Sequence, residues 1–89
     1  MAVTWDKRKR AANLARHHID LAAIERFDFA SALLEDDFSS EEGEQRFRAI
    51  GWLDGWLHLL VFTFDGDDVH AISLRRATKQ EHRRYEAES

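Results

Sequence analysis

Residues 45–64 read QRFRAIGWLDGWLHLLVFTF, two apolar and aromatic runs that are joined by Asp54-Gly55. Aromatic and branched residues of this kind favour strands. The Asp-Gly pair is a strong hairpin signal, because a two-residue turn of type I′ needs positive φ at both of its positions. The stretch therefore predicts two antiparallel strands, at 45–53 and 56–64.

Two more strands are predicted on either side of this hairpin in the sequence. Residues 31–36 and 69–75 have the same kind of composition, and Asp65-Gly66 predicts a tight turn before the second of them. The segment 38–44 is polar and acidic. We predict that it forms a mobile loop.

Helix signals occupy both ends of the chain. A short strand at Val3-Thr4-Trp5 precedes Asp6, which is the predicted N-cap of a first helix with a buried stripe of Ala11, Leu14, Ala15 and His18. Asp20 predicts the start of a second, shorter helix, whose buried stripe consists of Leu21, Ile24 and either Phe27 or Phe29. Thr78-Lys79-Gln80-Glu81 is a capping box that begins a C-terminal helix.

The predicted order is therefore β-α-α-β-β-β-β-α, an α+β domain in which helices pack on a small, mainly antiparallel sheet. With 89 residues, no proline and no internal repeat, we expect a single domain over residues 1–89. The absence of cysteine excludes disulfides, a thiolate nucleophile and a zinc site with cysteine ligands. No stretch approaches the roughly 18 apolar residues of a membrane span, so we expect a cytoplasmic protein with no membrane partner.

The charge is distributed unevenly along the chain. The net charge of −4 argues against a dedicated nucleic-acid binder, but both ends of the chain are basic and the middle is acidic. A fold that brings the two ends together makes a basic patch on an acidic body. The alternative is that these charges are ordinary solvated faces.

Three blocks of the sequence resemble the BrnT family of type II toxin–antitoxin ribonucleases. The blocks are Trp5-Asp6 with Lys9, Ala12-Asn13-Leu14 and Arg16-His17; Gly43-Glu44 with Arg46 and Ala49-Ile50-Gly51; and Ile72-Ser73 with Arg75-Arg76-Ala77-Thr78, Glu81 and Tyr85. His18 stands where the family has a glycine, so we expect the helix cap to use another conformation or the helix to run one residue longer. His70 stands where the family often has an arginine, which weakens the case for activity near neutral pH.

The resemblance implies a RelE-like fold and a ribonuclease toxin that needs no metal or other cofactor. In such enzymes the 2′-hydroxyl of RNA attacks the adjacent phosphorus and the RNA is cleaved. The resemblance implies that this cleavage, of RNA that is free or on the ribosome, inhibits translation. The implied partners are RNA and a cognate, BrnA-like antitoxin that neutralises the toxin, in an assembly that could be a heterotetramer. The alternative function is a non-catalytic relative of the same fold that binds protein or nucleic acid.

This chemistry needs a base, an acid and cations that stabilise the phosphorane. The candidates for the cations are Arg46, Arg75 and Arg76, because a guanidinium bonds two phosphate oxygens at once. Arg75 is the best match to the family, and alternation along the strand points Arg75 and Arg76 to opposite faces. The alternative is that these arginines pair with the acidic loop.

Glu44 and His17 are the candidates for the base, and each also has an ordinary structural explanation. A carboxylate in an acidic loop is usually only solvated, and a histidine at a helix C-terminus complements the helix dipole. Lys9, Arg16, Arg76 and Tyr85 are the candidate RNA-binding residues, although Tyr85 is more typical of packing. We expect Trp5 and Trp52 in the core and Trp56 exposed for base stacking. His58 fits an ordinary half-buried strand position.

Overall fold

The computed structural model describes residues 2–37 and 45–88. Its elements are β1 (Val3–Trp5), α1 (Lys7–His17), a 3₁₀ helix (Leu21–Arg26), β2 (Leu33–Asp37), β3 (Arg46–Leu53), β4 (Trp56–Asp65), β5 (Asp68–Arg76) and α2 (Lys79–Glu88). This order confirms the predicted α+β class and the succession of elements. The predicted mobile loop at 38–44 lies outside the described residues.

The strands form one sheet in the order β1-β5-β4-β3-β2. Strands β2 to β5 pair antiparallel with their neighbours in the chain, but β1 pairs parallel with β5. The sheet is therefore mixed, and the expectation of a mainly antiparallel sheet needs correction at β1. The turn signals specify only strands that follow one another, whereas β1 meets β5 across almost the whole chain.

The turns show which residues accept a left-handed backbone. Asp54 and Gly55 have φ angles of 50° and 85°, as the predicted hairpin turn requires. His18 also adopts this conformation, with φ 60° and ψ 26°, directly after α1 ends at His17. The expectation of another conformation or a longer helix was therefore wrong, because His18 itself takes up the left-handed conformation that helix ends usually give to glycine.

Apolar side chains pack on both faces of the sheet. The predicted second helix is a 3₁₀ helix. Its Leu21 and Ile24 are buried with Phe27 against β3, β4 and β5, which confirms the predicted stripe. On the opposite face a smaller cluster of Ile50, Leu57 and Leu59 packs beneath Tyr85 of α2. Within the described residues, no helix is long and apolar enough to cross a membrane.

The predicted buried stripe of α1 is wrong. Ala11, Leu14, Ala15 and His18 are all exposed, and half of the Leu14 surface is accessible to solvent. The buried residue of α1 is Asn13, with Lys9 and His17 half-buried one turn before and one turn after it. The helix therefore packs on the sheet through a polar face.

Candidate functional site

α1 lies along the edge of β5 that β1 leaves open. β1 pairs with β5 only as far as Trp5 and Ala71. Beyond that point, the side-chain amide of Asn13 donates to the carbonyl of Leu74 and accepts from the N–H of the same residue, both at 2.9 Å. It also donates to the carbonyl of Ile19 at 2.9 Å. One side chain thus replaces the hydrogen bonds of a neighbouring strand and fixes α1 at the edge of the sheet.

Because α1 lies at this edge, a cleft opens on each side of it, and His17 lines both clefts. The first cleft, of about 500 Å³, lies between α1, the adjoining ends of β2 and β3, and the middle of β4 and β5. Its polar lining consists of Lys9, Asn13, Arg16, His17, Asp37, Arg46 and Ser73. The second cleft, of about 470 Å³, lies on the side of the 3₁₀ helix.

A β-bulge shapes the wall of the first cleft. The pairing of β4 with β5 shifts between Val61 and Phe62, which leaves Ile72 as an extra residue in β5. Bulges bend a strand and re-aim its side chains. As a result, the consecutive residues Ile72 and Ser73 both line the first cleft.

The first cleft is basic although the protein is acidic. Lys9 and Arg16 reach it from α1, and Arg46 reaches it from β3. Asp37 lines the same cleft, directly opposite Arg46 in the register of β2 and β3. Three basic side chains against one acidic side chain give this cleft a positive potential that attracts phosphate.

His17 combines a favourable position with a shifted ionisation. Partial burial lowers the pKa of His17 below the ordinary histidine value of 6.5, and the charges of Arg16, Arg75 and His18 lower it further. The imidazole is therefore neutral at neutral pH and carries one nitrogen that can accept a proton. A neutral histidine beside cations is a suitable general base for a phosphate ester.

Arg75 is held by a buried carboxylate on α2. Its two terminal nitrogens donate to the two oxygens of Glu81 at 2.8 and 2.9 Å, and Arg48 donates to the same carboxylate at 2.9 Å. Only 3% of Glu81 is exposed. The predicted capping box is formed, since the N–H of Thr78 donates to Glu81 at 2.8 Å and the N–H of Glu81 donates to the Thr78 hydroxyl at 3.2 Å.

The ionisation of Glu81 follows from these contacts. Burial raises its pKa, but hydrogen bonds from Arg75 and the N–H of Thr78, with the charges of Arg75 and Arg48, outweigh burial and lower the pKa to about 2. Glu81 is therefore ionised at neutral pH. It takes up one of the two positive charges that Arg48 and Arg75 contribute.

The second cleft brings together aromatic and basic groups. The guanidinium of Arg76 lies 4.0 Å from the centre of the Trp56 ring, and 58% of Trp56 is exposed, as expected from the sequence. His58 lines the same cleft and is buried. Within residues 2–37 and 45–88, no group of three or more histidine or acidic side chains is arranged to hold a metal ion.

The first cleft and the capping box together contain many of the residues that carried the sequence resemblance. The sequence profile of the family described as "Ribonuclease toxin, BrnT, of type II toxin-antitoxin system" matches residues 5–81 of the 89. The chain belongs to the BrnT family. No curated protein matches it.

The structure brings some of the predicted site residues of this BrnT family member together and separates others. Lys9, Arg16, His17 and Arg46 meet in the first cleft, and Arg76 meets His17 in the second. Arg75 is bound to Glu81. The second predicted base, Glu44, lies outside the described residues.

Tyr85 lies away from both clefts. Its hydroxyl donates to the carbonyl of Ser31 and accepts from the indole nitrogen of Trp52, both at 3.1 Å. The expectation of Trp52 in the core was wrong, because 41% of it is exposed beside Tyr85 on the α2 side of the sheet. His70, on β5, contacts the hydroxyl of Thr4 through Nδ1 at 2.8 Å.

Sequence reasoning missed the anchoring role of Asn13 and the contacts of Glu81 with Arg48 and Arg75. Asn13 and Glu81 both belong to the blocks that resemble the family, and this was the signal that could have found them. The apolar pattern of α1 pointed instead to its exposed face. Hydrophobic periodicity does not identify the packing face of a helix that is attached to a strand edge by hydrogen bonds from a polar side chain.

Proposed function

We propose that this BrnT family member is a metal-independent endoribonuclease toxin that cuts RNA in the first cleft. The observation that supports this most is that neutral His17 shares that cleft with Lys9, Arg16 and Arg46. Internal attack by a ribose hydroxyl needs a proton acceptor and positive charge at the phosphate. The first cleft contains both kinds of group.

In the proposed reaction, His17 accepts the proton of the 2′-hydroxyl. The 2′-oxygen then forms a bond to the adjacent phosphorus, and the bond between phosphorus and the 5′-oxygen breaks. The products are a 2′,3′-cyclic phosphate and a 5′-hydroxyl. The leaving 5′-oxygen takes a proton, for which the ammonium of Lys9 is the donor that we propose.

Arg46 is the proposed partner of the phosphorane. Its guanidinium can bond two phosphate oxygens at once in a planar fork. Arg16 is exposed at the same cleft and is proposed to bind the RNA backbone. Arg75, which is bound to Glu81, is proposed to act through its charge on His17.

The test measures cleavage of a fluorogenic single-stranded RNA in the presence of EDTA. We expect His17→Ala and Arg46→Ala to lower kcat/KM by roughly 10²–10³, the usual effect of losing one preorganised group. Arg46→Lys should recover part of the activity, because an ammonium does not reproduce the fork of a guanidinium. His82→Ala and Arg83→Ala, on α2, are the matched controls and should leave kcat/KM unchanged.

The pH profile separates the two candidate bases. If His17 is the base, the rate falls as the pH drops below the ordinary histidine value, and this acid limb disappears in His17→Ala. Glu44→Gln should leave the limb in place. If Glu44→Gln instead removes activity and His17→Ala retains it, Glu44 is the base.

Two other outcomes contradict the proposal itself. Activity that is lost in EDTA and restored by a divalent cation contradicts metal independence. Folded wild-type protein that cuts no RNA, with or without a metal, would support the alternative of a non-catalytic module of the same fold.

We further propose that the fold is RelE-like and that cleavage of messenger RNA in the cytoplasm, free or on the ribosome, inhibits translation. An antitoxin of the BrnA type is proposed to neutralise the toxin by covering the first cleft, in an assembly that could be a heterotetramer. A specific interface of this kind buries roughly 1,200–2,000 Å². In calorimetry, Lys9→Glu and Arg46→Glu should weaken antitoxin binding, and unchanged binding would locate the interface elsewhere.

A further inference from the structure

The second cleft lies apart from the proposed site of phosphate chemistry and has a different lining. It is lined by the exposed indole of Trp56, the Arg76 guanidinium on that ring, and the histidines His17, His18 and His58. Its two aspartates are already neutralised. Asp54 is paired with Arg26, and Asp20 with Arg10, each at 2.8 Å.

His58 is the unusual group in this cleft. It is only 5% exposed, and its Nδ1 lies 2.8 Å from the carbonyl oxygen of Trp56. A carbonyl oxygen only accepts, so Nδ1 carries the proton. Burial lowers the pKa of His58 and outweighs the hydrogen bond to the Trp56 carbonyl, which raises it; smaller effects of Arg76 and Asp54 oppose each other. The ring is therefore neutral, and Nε2 is an acceptor with no hydrogen bond to the described residues.

An indole, a guanidinium on its face and a buried acceptor are the groups that hold an unstacked nucleobase. Bases of single-stranded RNA stack on aromatic rings and on arginine planes, and hydrogen bonds to their edges select among them. All four bases carry N–H donors, but at different positions on their edges, so an acceptor at a fixed position favours the base whose donor reaches it. A base that covers Nε2 without donating to it would leave this acceptor with neither water nor a partner, which is costly.

We propose that the second cleft is a nucleobase subsite, in which a base of single-stranded RNA stacks on Trp56 and Arg76 and donates a hydrogen bond to Nε2 of His58. This proposal rests on the proposed ribonuclease function. His17 lines both clefts. The RNA strand therefore crosses the C-terminal end of α1, with its reactive phosphate in the first cleft and a neighbouring base in the second.

The test uses short 2′-fluoro oligonucleotides of adenine, cytosine and uracil, which lack the hydroxyl nucleophile and cannot be cut. Binding to full-length protein is measured by fluorescence anisotropy. Trp56→Ala should weaken binding of the best ligand by about 5- to 100-fold, which is typical of losing one base–aromatic stack. Trp52→Leu is the matched control on the opposite face of the sheet and should change binding less than twofold.

His58→Gln and His58→Phe test the acceptor. Because selection depends on Nε2, we expect both to reduce the differences in affinity among the three oligonucleotides while stacking on Trp56 continues. Thermal unfolding of each variant reports whether it remains folded. Should His58→Phe unfold, His58→Gln, which retains polar atoms and a similar length, carries this part of the test.

The outcomes distinguish this inference from the proposed function. If the wild type cuts RNA and folded Trp56→Ala neither weakens binding nor raises KM, the subsite is refuted and the ribonuclease assignment stands. If the wild type binds the oligonucleotides through Trp56 and cuts no RNA, the ribonuclease assignment fails and the subsite belongs to an RNA-binding module. Equal effects of Trp56→Ala and Trp52→Leu would also overturn the inference.

Discussion

The two helices dock on the sheet in the same way and with different chemistry. Each buries one polar side chain, Asn13 in α1 and Glu81 in α2. Asn13 is a neutral amide that bonds only backbone atoms, of Leu74 and Ile19. Glu81 is a carboxylate that bonds two guanidinium groups and a backbone N–H. The hydrogen bonds of Asn13 therefore involve no titratable group, whereas those of Glu81 do.

The two attachments also differ in the basic side chains that they engage. Asn13 engages none, whereas Glu81 binds two arginines. Asn13 attaches α1 to β5, and Lys9 and Arg16 of the same helix line the first cleft. On the other side of the sheet, Glu81 binds Arg48 and Arg75 and takes up one of their two positive charges. Arginines in the sequence of such a domain are thus not equivalent candidates for binding phosphate.

Replacing Asn13 should have the largest effect. Asn13→Ala leaves the N–H and carbonyl of Leu74 and the carbonyl of Ile19 without these hydrogen bonds, and each buried, unsatisfied group costs roughly 1–3 kcal/mol. We expect the free energy of unfolding, measured in urea, to fall by about 3–5 kcal/mol. Leu14→Ala on the same helix should cost less than about 1 kcal/mol, because Leu14 is half exposed. A larger loss for Leu14→Ala would refute this account of α1.

Removing the charge of Glu81 should have the next largest effect, and it should depend on pH. The pKa of Glu81 falls from 4.5 to about 2 on folding, so its ionised form stabilises the protein fully above pH 4.5. This contribution, about 3 kcal/mol, is lost as the pH falls towards 2. Urea unfolding of Glu81→Gln and wild type should therefore differ by about this amount at pH 7 and converge in acid.

Glu25→Gln is the control for this prediction, since Glu25 is exposed. Its free energy of unfolding should stay close to that of the wild type at every pH. A difference between wild type and Glu81→Gln that stays constant from pH 7 to pH 3 would show that Glu81 acts through its shape and not through its charge.

Asn13 and Glu81 also show how far the fold could be predicted from the sequence. The hairpin turn at Asp54-Gly55 and the capping box at Thr78 were predictable, because local backbone conformation follows from a few adjacent residues. The parallel pairing of β1 and the anchoring of α1 by Asn13 join positions about sixty residues apart. Periodicity along one element carries no information about such contacts.

The same limit applies to the candidate site. The basic residues of the first cleft could be named from residue type and family resemblance. Their arrangement could not, because it depends on the bulge at Ile72 and on the helix lying at the edge of the sheet. Arg75 was the better candidate by family resemblance, and its contact with Glu81 could not be predicted from its position in the sequence.

Arg75→Ala should have a moderate effect on stability and a diagnostic effect on ionisation. It removes two of the hydrogen bonds to Glu81, so we expect a loss of about 2–3 kcal/mol, more than for Arg48→Ala, which removes one. Arg75 also lowers the pKa of His17. The acid limb of the cleavage profile should therefore move to higher pH, with a smaller loss of rate at pH 8 than for Arg46→Ala.

Both Arg75→Ala and Arg46→Ala must be assayed at a temperature at which each is folded. An unchanged acid limb in Arg75→Ala would contradict a role through His17. A loss of rate of 10²–10³ at every pH would instead indicate that Arg75 contacts the phosphate directly, as the family resemblance alone implies.

The smallest expected effect is a gain in stability at His18. Its left-handed backbone, with φ 60°, costs a residue with a Cβ roughly 1–2 kcal/mol that glycine avoids, although glycine loses more conformational entropy on folding. The cap depends on the backbone N–H of His18, which donates to the carbonyl of Leu14 at 2.9 Å and is present in any variant except proline. We therefore expect His18→Gly to raise the free energy of unfolding by about 0.5–1 kcal/mol in urea. His18→Ala removes the same imidazole but keeps the Cβ, so it should give no such gain, and the difference between the two variants isolates the backbone. If both variants lose stability, the imidazole of His18 makes a contribution that outweighs the strain of its backbone.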